Sequence, residues 1–205
     1  MIASDIQLQH KVHEVVRLLM QRPITEALAM QVEEIEGFEH LEIEDGNWVG
    51  FEEDETMGGE RHGWIESLIV THLTTWALAN GGRVYTGDTV FVLLGTPDDI
   101  QIKRRPDVAF VADANVKPTS GYIYGAPQLA IEIISPSERP IPMQRKVREY
   151  LKYGVAQVWQ IFPELSEVVV HLPDGSAKTY GVDDTIDGGA LLPGFRIAVK
   201  SILAT

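Results

Sequence analysis

The chain contains no cysteine. That excludes disulfides, thiolate zinc centres and Cys-ligated iron–sulfur clusters, and it fits the reducing conditions of a cytoplasm. Basic residues are few: 17 Lys and Arg stand against 30 Asp and Glu, for a formal net charge of −13. A protein that holds duplex phosphate through its overall field is normally basic, so the balance argues against that simplest mode of nucleic-acid binding. Long apolar runs are missing too, because Glu, Thr or Gly interrupts each one well short of transmembrane length, and no membrane partner is expected. The opening MIASDIQLQHKVHEVV has neither a basic start nor a continuous apolar stretch, so no secretory signal is expected. H-E-x-x-H, G-x-S-x-G and G-x-x-x-x-G-K-[ST] are absent, which leaves zincin, serine-hydrolase and P-loop chemistry without support.

What is present suffices for a core. With 205 residues, 44% of them hydrophobic, the chain is expected to form one domain over residues 1–205. Its charges are unevenly spread. Glu33, Glu34, Glu36, Glu39, Glu42, Glu44, Asp45, Glu52, Glu53, Asp54 and Glu55 crowd the first quarter. Lys103, Arg104, Arg105, Arg139, Arg145, Lys146, Arg148 and Lys152 flank two strand-like runs further on, where local basicity can hold a phosphate backbone.

Periodicity predicts a helix over 4–21, closed or restarted at Pro23, and a short one over 25–35. LEIEDGNWVGF (41–51) reads as strand, Asp-Gly turn and strand, and the acidic segment 52–60 as a loop. Residues 61–82 carry a broad apolar helical surface ended by Asn80-Gly81-Gly82. Strands are predicted at 83–86, 89–94, 104–111 and 126–137, with the turn GTPDD before the third and a long loop over 113–127 before the fourth. A helix over 143–154, an antiparallel pair at 156–162 and 167–172, a turn at 173–175 and a last strand within 195–203 complete the chain. The fold class is α/β, with a central mixed β-sheet flanked by helices.

Two carboxylates stand where packed strands would exclude them. Asp107 lies in RRPDVAFV (104–111) and Glu132 in APQLAIEIISPS (126–137). An unpaired buried polar group costs about 2–7 kcal/mol and a charge more, unless a metal, a cation or hydrogen bonds compensate. Phosphodiester cleavage needs a hard cation on oxygen ligands, a water activated by it, and positive charge for the pentavalent phosphate. Asp107 and Glu132 on neighbouring strands can converge on one ion. The backbone carbonyl of Ile133 is a third ligand candidate, and Lys146 supplies positive charge.

Pro106-Asp107 followed by Glu132 in an apolar strand resembles the P-D…(D/E)-x-K nuclease pattern. More specifically, LEIEDG, the His of GERHGW, RRPDVAFV, APQLAIEIISPS, K-x-x-x-Y at 146–150 and YGVAQVWQI resemble the Uma2 family of restriction-endonuclease-like proteins over about residues 25–175. The resemblance implies a restriction-endonuclease-like core, preceded by an N-terminal helix and β-hairpin, working with Mg²⁺ or Mn²⁺. It implies Asp107 and Glu132 as metal-binding carboxylates. The usual lysine position holds Ile134, so the resemblance implies that Lys146 substitutes from the following helix. Glu42 matches an acidic hairpin residue that can help hold the ion. His62 matches a His at the start of the long helix, where backbone N–H groups favour an anion.

Plainer roles stand beside these. Asp107 after Pro106 can terminate a turn, Glu132 can pair with Arg145 or Arg148, and Lys146 by spacing alone is a solvated lysine. Glu42 shares its strand face with Glu44, and His62 can merely begin a helix. His10 and His13 have helical metal-pair spacing in a polar setting without a third ligand, which favours a solvated face. The expected function is a cytoplasmic, Mg²⁺-dependent endonuclease acting on DNA, with Arg104, Arg105, Arg139 and Arg145 as phosphate contacts. Two-strand cutting by such a site commonly needs a homodimer. The alternative is a catalytically silent module of the same fold, serving protein or nucleic-acid binding.

Overall fold

A computed structural model describes residues 12–51, 59–112, 121–136 and 139–203. His10, the acidic segment 52–58 and residues 113–120 of the long loop lie outside the described residues. In chain order the elements are α1 (described over 12–19), α2 (Glu26–Glu33), β1 (Glu42–Glu44), β2 (Asn47–Val49), α3 (Glu60–Asn80), β3 (Arg83–Thr86), β4 (Phe91–Thr96), β5 (Asp99–Arg104), β6 (Val108–Val111), β7 (Ile123–Tyr124), β8 (Leu129–Ile133), α4 (Pro140–Lys152), β9 (Gln157–Phe162), β10 (Glu167–His171), β11 (Ala177–Tyr180), β12 (Thr185–Asp187), β13 (Arg196–Ala198) and α5 (Lys200–Leu203).

The strands form a six-stranded sheet, β11-β10-β9-β8-β6-β3, a five-stranded sheet, β2-β1-β5-β4-β7, and the small pair β12-β13. The six-stranded sheet is mixed: β8 and β9 run parallel, joined through α4, and the remaining pairs are antiparallel. One face receives α3, whose Ile65, Ile69, Leu73 and Ala77 recur at four-residue spacing and pack with Ile131, Ile133 and Trp159. The other face receives α4 through Val147 and Tyr150, against Ala130 and Val158. Burying an isoleucine such as Ile131 or Ile133 contributes about 1.5–3 kcal/mol, so this packing holds β8 in place while Glu132 between them faces the other way.

Local chemistry explains most boundaries. Asp45 and Gly46 turn the β1–β2 hairpin at φ of 48° and 70°, as the Asp-Gly signal requires. At Gly82 a Cβ would stand 2.5 Å from the Phe110 ring, so only glycine lets the chain pass from α3 into β3 there. Helix α4 begins at Pro140, earlier than its periodicity suggests, because prolines are tolerated in a first turn whose N–H groups have no intrahelical partner. The final strand expected within 195–203 is the short β13, followed by α5.

One element differs in kind. The run 104–111 is not one strand: β5 ends at Arg104 in the five-stranded sheet, and β6 begins at Val108 in the six-stranded one. Pro106 lacks the N–H a continuous ladder needs, and the chain changes sheets there. Asp107 therefore sits at the junction, immediately before β6.

Candidate active site

The register of β6 against β8 pairs Val108 with Ile131, so one step further Asp107 stands opposite Glu132. On the other side Glu132 is in register with Gln160 of β9. These positions share the sheet face that α4 covers, since alternate residues Ile131 and Ile133 point to α3. Asp107 accepts the Ile133 N–H at 2.6 Å through Oδ2, and His62 Nε2, in the first turn of α3, lies 3.4 Å from the same oxygen. His62 thus faces a carboxylate.

Four residues of α4 reach this row from one helical face. Lys146 and Tyr150, four apart, meet Glu42 and Glu132: Lys146 Nζ lies 3.3 Å from Glu42 Oε2, and the Tyr150 hydroxyl donates to Glu132 Oε1 at 2.7 Å. Arg145 and Glu149, also four apart, meet the neighbouring charges: Arg145 Nη1 lies 3.0 Å from Glu44 Oε1, and Glu149 pairs with Arg104. Lys146 therefore turns toward the carboxylates. Glu132 takes its hydrogen bond from Tyr150, and Arg145 is engaged with Glu44.

The electrostatics follow from burial and from the surplus of acids. Burial pushes the Glu132 carboxyl up to about 8; Asp107 and Glu42 push the same way, and Lys146 opposes them only in part. Glu42 is also buried, which by itself would raise it, but Lys146 and Arg104 hold it below the usual carboxylate range. Glu66, one turn after His62 on α3, is raised by burial and by Asp107. The acids facing one another here exceed the cations available to them.

The structure corrects the basic patch. Arg104 is 1% exposed, donating to the carbonyl oxygens of Ile43 at 3.0 Å and Lys103 at 3.1 Å, with Glu42, Glu44 and Glu149 around it. Arg105 is half-buried and pairs with Glu33 at 3.1 Å, while Lys103 is fully buried against the same glutamate. These cations neutralise carboxylates of β1, α2 and α4 and do not form a phosphate-binding surface. Arg139, Arg145 and Arg148 remain exposed. His13 is exposed on α1.

The chemistry of the donors fits a hard cation. Among the described residues no group of three or more His, Cys, Asp or Glu is arranged to hold a metal ion. An ion here would therefore rest on Asp107 and Glu132 together with carbonyl oxygens and water, a set that suits Mg²⁺. The Ile133 side chain is buried toward α3, so only its backbone is open to such a role. Sequence reasoning named Tyr150 only as part of the K-x-x-x-Y motif, without a role, and missed Glu66 and the counter-ion role of Arg104. Four-residue spacing from Lys146 and from His62 was the available signal for the first two.

Comparison with known proteins agrees with this architecture. The family described as "Uma2: Putative restriction endonuclease" matches residues 39–200. Among solved structures, a "putative nuclease belonging to DUF820" from Anabaena variabilis superposes with a TM-score of 0.69 at 19% identity, covering 88% of this chain and 98% of the other. That similarity shows the fold. A comparison with curated proteins gives no match. Among the described residues no helix is long and apolar enough to cross a membrane.

Proposed function

The chain belongs to the Uma2 family, and on that premise we propose that it is a divalent-metal-dependent endonuclease hydrolysing phosphodiester bonds of DNA. The observation that carries this reading is the register that sets Asp107 opposite Glu132, with Lys146 turned toward the same row. In this reading Asp107, Glu132 and the Ile133 carbonyl hold Mg²⁺ or Mn²⁺. The ion, when bound, supplies Lewis acidity toward a phosphoryl oxygen and a water acidic enough to act as a nucleophile. Lys146 stabilises negative charge on the phosphoryl oxygens. Glu42, tied to both Lys146 and Arg104, aims the ammonium, and His62 holds Asp107 in orientation. Substrate capture falls to short-range contacts such as Arg139, Arg145 and Arg148, because a chain of net charge −13 gains little from long-range steering. A cytoplasmic location, in keeping with the cysteine-free composition, and a homodimer for two-strand cutting belong to the same proposal.

The net charge of −13 favours a second reading, a silent module of this fold that binds protein. Plasmid nicking with Mg²⁺ or Mn²⁺, measured beside the metal-induced shift in melting temperature, separates the two. The enzyme is expected to nick DNA, to stop in chelator, and to lose both nicking and the thermal shift in Asp107→Ala. A folded wild type that shows no metal-induced shift and cuts neither DNA nor RNA would leave the module.

A further inference from the structure

Tyr150 is completely buried, its ring packed among Ala130, Val147, Val155 and Val158, yet its hydroxyl ends at Glu132 Oε1, 2.7 Å away. A buried phenol needs a partner for its O–H, and here that partner is a carboxylate of the candidate metal site. That bond engages one of the two carboxylate oxygens. A glutamate side chain must give up rotamer freedom to hold an ion, and a hydrogen bond already made removes that freedom in advance. Lys146, one turn earlier on α4, approaches Glu42 in the same way, so one helical turn orients both ends of the row.

We propose that Tyr150 is a positioning residue for the metal site: its hydroxyl fixes Glu132 by Oε1 and presents Oε2 to the ion. The inference rests on the metal-site reading above and adds a residue that never touches the ion.

The test is calorimetric Mn²⁺ binding by the full chain as wild type, Tyr150→Phe, Val147→Ala and Asp107→Ala. Tyr150→Phe keeps the ring and loses one oxygen, so it is expected to fold and to bind Mn²⁺ about 10–100-fold more weakly, the usual loss for a partner that orients a metal ligand. Val147→Ala removes packing from the same helix without touching Glu132 and is expected to bind as wild type. Wild-type affinity in Tyr150→Phe, with Asp107→Ala unable to bind, overturns the role of Tyr150 and leaves the metal site standing. An equal loss in Val147→Ala overturns it as well, since packing alone then accounts for the effect. Undiminished affinity in Asp107→Ala overturns the inference together with the reading beneath it. A second measurement needs no change at Tyr150: Mg²⁺ titration of the wild type is expected to perturb the ultraviolet absorption of a buried tyrosine. Saturation with no tyrosine signal overturns the inference.

Discussion

Two buried charge clusters lie near each other in this molecule, and they differ in balance. Beneath α2, Glu33 pairs with both Lys103 and Arg105 and accepts the Tyr122 hydroxyl at 2.7 Å. The Lys103 ammonium also lies 5.7 Å from the Trp48 ring centroid and 5.6 Å from that of Tyr122. One carboxylate thus meets two cations and a phenol, and burial pulls the Lys103 ammonium below its ordinary value only against the pull of Glu33. Under α4 the sign reverses: Asp107, Glu132 and Glu42 face Lys146, with Arg104 shared among three glutamates. Buried charge is common to both, so burial alone does not mark a site. What distinguishes the second cluster is its excess of acids over cations, which burial answers by pushing Glu132 toward its neutral form.

The comparison can be broken by removing one member from each cluster. Glu33→Ala strands Lys103 without its carboxylate and is expected to destabilise the fold by about 3–5 kcal/mol, read as a lowered urea midpoint. A loss well under 1 kcal/mol would mean that the aromatic rings suffice to hold the ammonium.

Glu132→Gln sharpens the contrast through pH. With a folded pKa near 8 against the ordinary 4.5, the folded protein keeps a proton that the unfolded chain has lost between those values. Stability of the metal-free protein therefore falls as pH rises from 4.5 to 8, and the glutamine variant is expected to lose that component of the slope. Ion affinity runs the opposite way, since the ion displaces the proton, and is expected to rise up to roughly tenfold per pH unit below 8. Urea unfolding of both proteins in chelator from pH 5 to pH 9 checks the first expectation, and calorimetry the second. Identical slopes in wild type and variant would contradict the proton assignment.

The smallest effect belongs to the rim. Arg145 is 54% exposed where it meets Glu44, so Arg145→Ala is expected to change stability by about 0–1 kcal/mol. If it contacts DNA, the same variant lowers the salt slope of duplex binding by about 0.9. A larger stability loss would make Arg145 part of the structural network.

How much of this was legible depended on distance along the chain. The Asp45-Gly46 hairpin, the α3 register with its Gly81-Gly82 stop and the β9–β10 pair follow from contacts a few residues apart, and all are found near where the pattern put them. The carboxylates could be singled out because their neighbours are apolar. Arg104 could not be read as buried, since its partner Glu149 lies 45 residues away and the local sequence, Lys-Arg-Arg, has the composition of a solvated patch.

By itself, then, the sequence determined the elements, their turns, the suspect acids and the order of motifs that marks the family, all matters of short-range sterics and periodicity. The tertiary structure alone decided that residues 104–111 divide between two sheets and that Asp107 faces Glu132 across a strand pair. It also decided that α4 delivers Lys146 and Tyr150 together to the acid row, while the arginines beside Asp107 turn inward as counter-ions. The physical reason is that a charge buried on folding must find its partner wherever the packed chain brings one, and sequence neighbours carry no record of who that partner is.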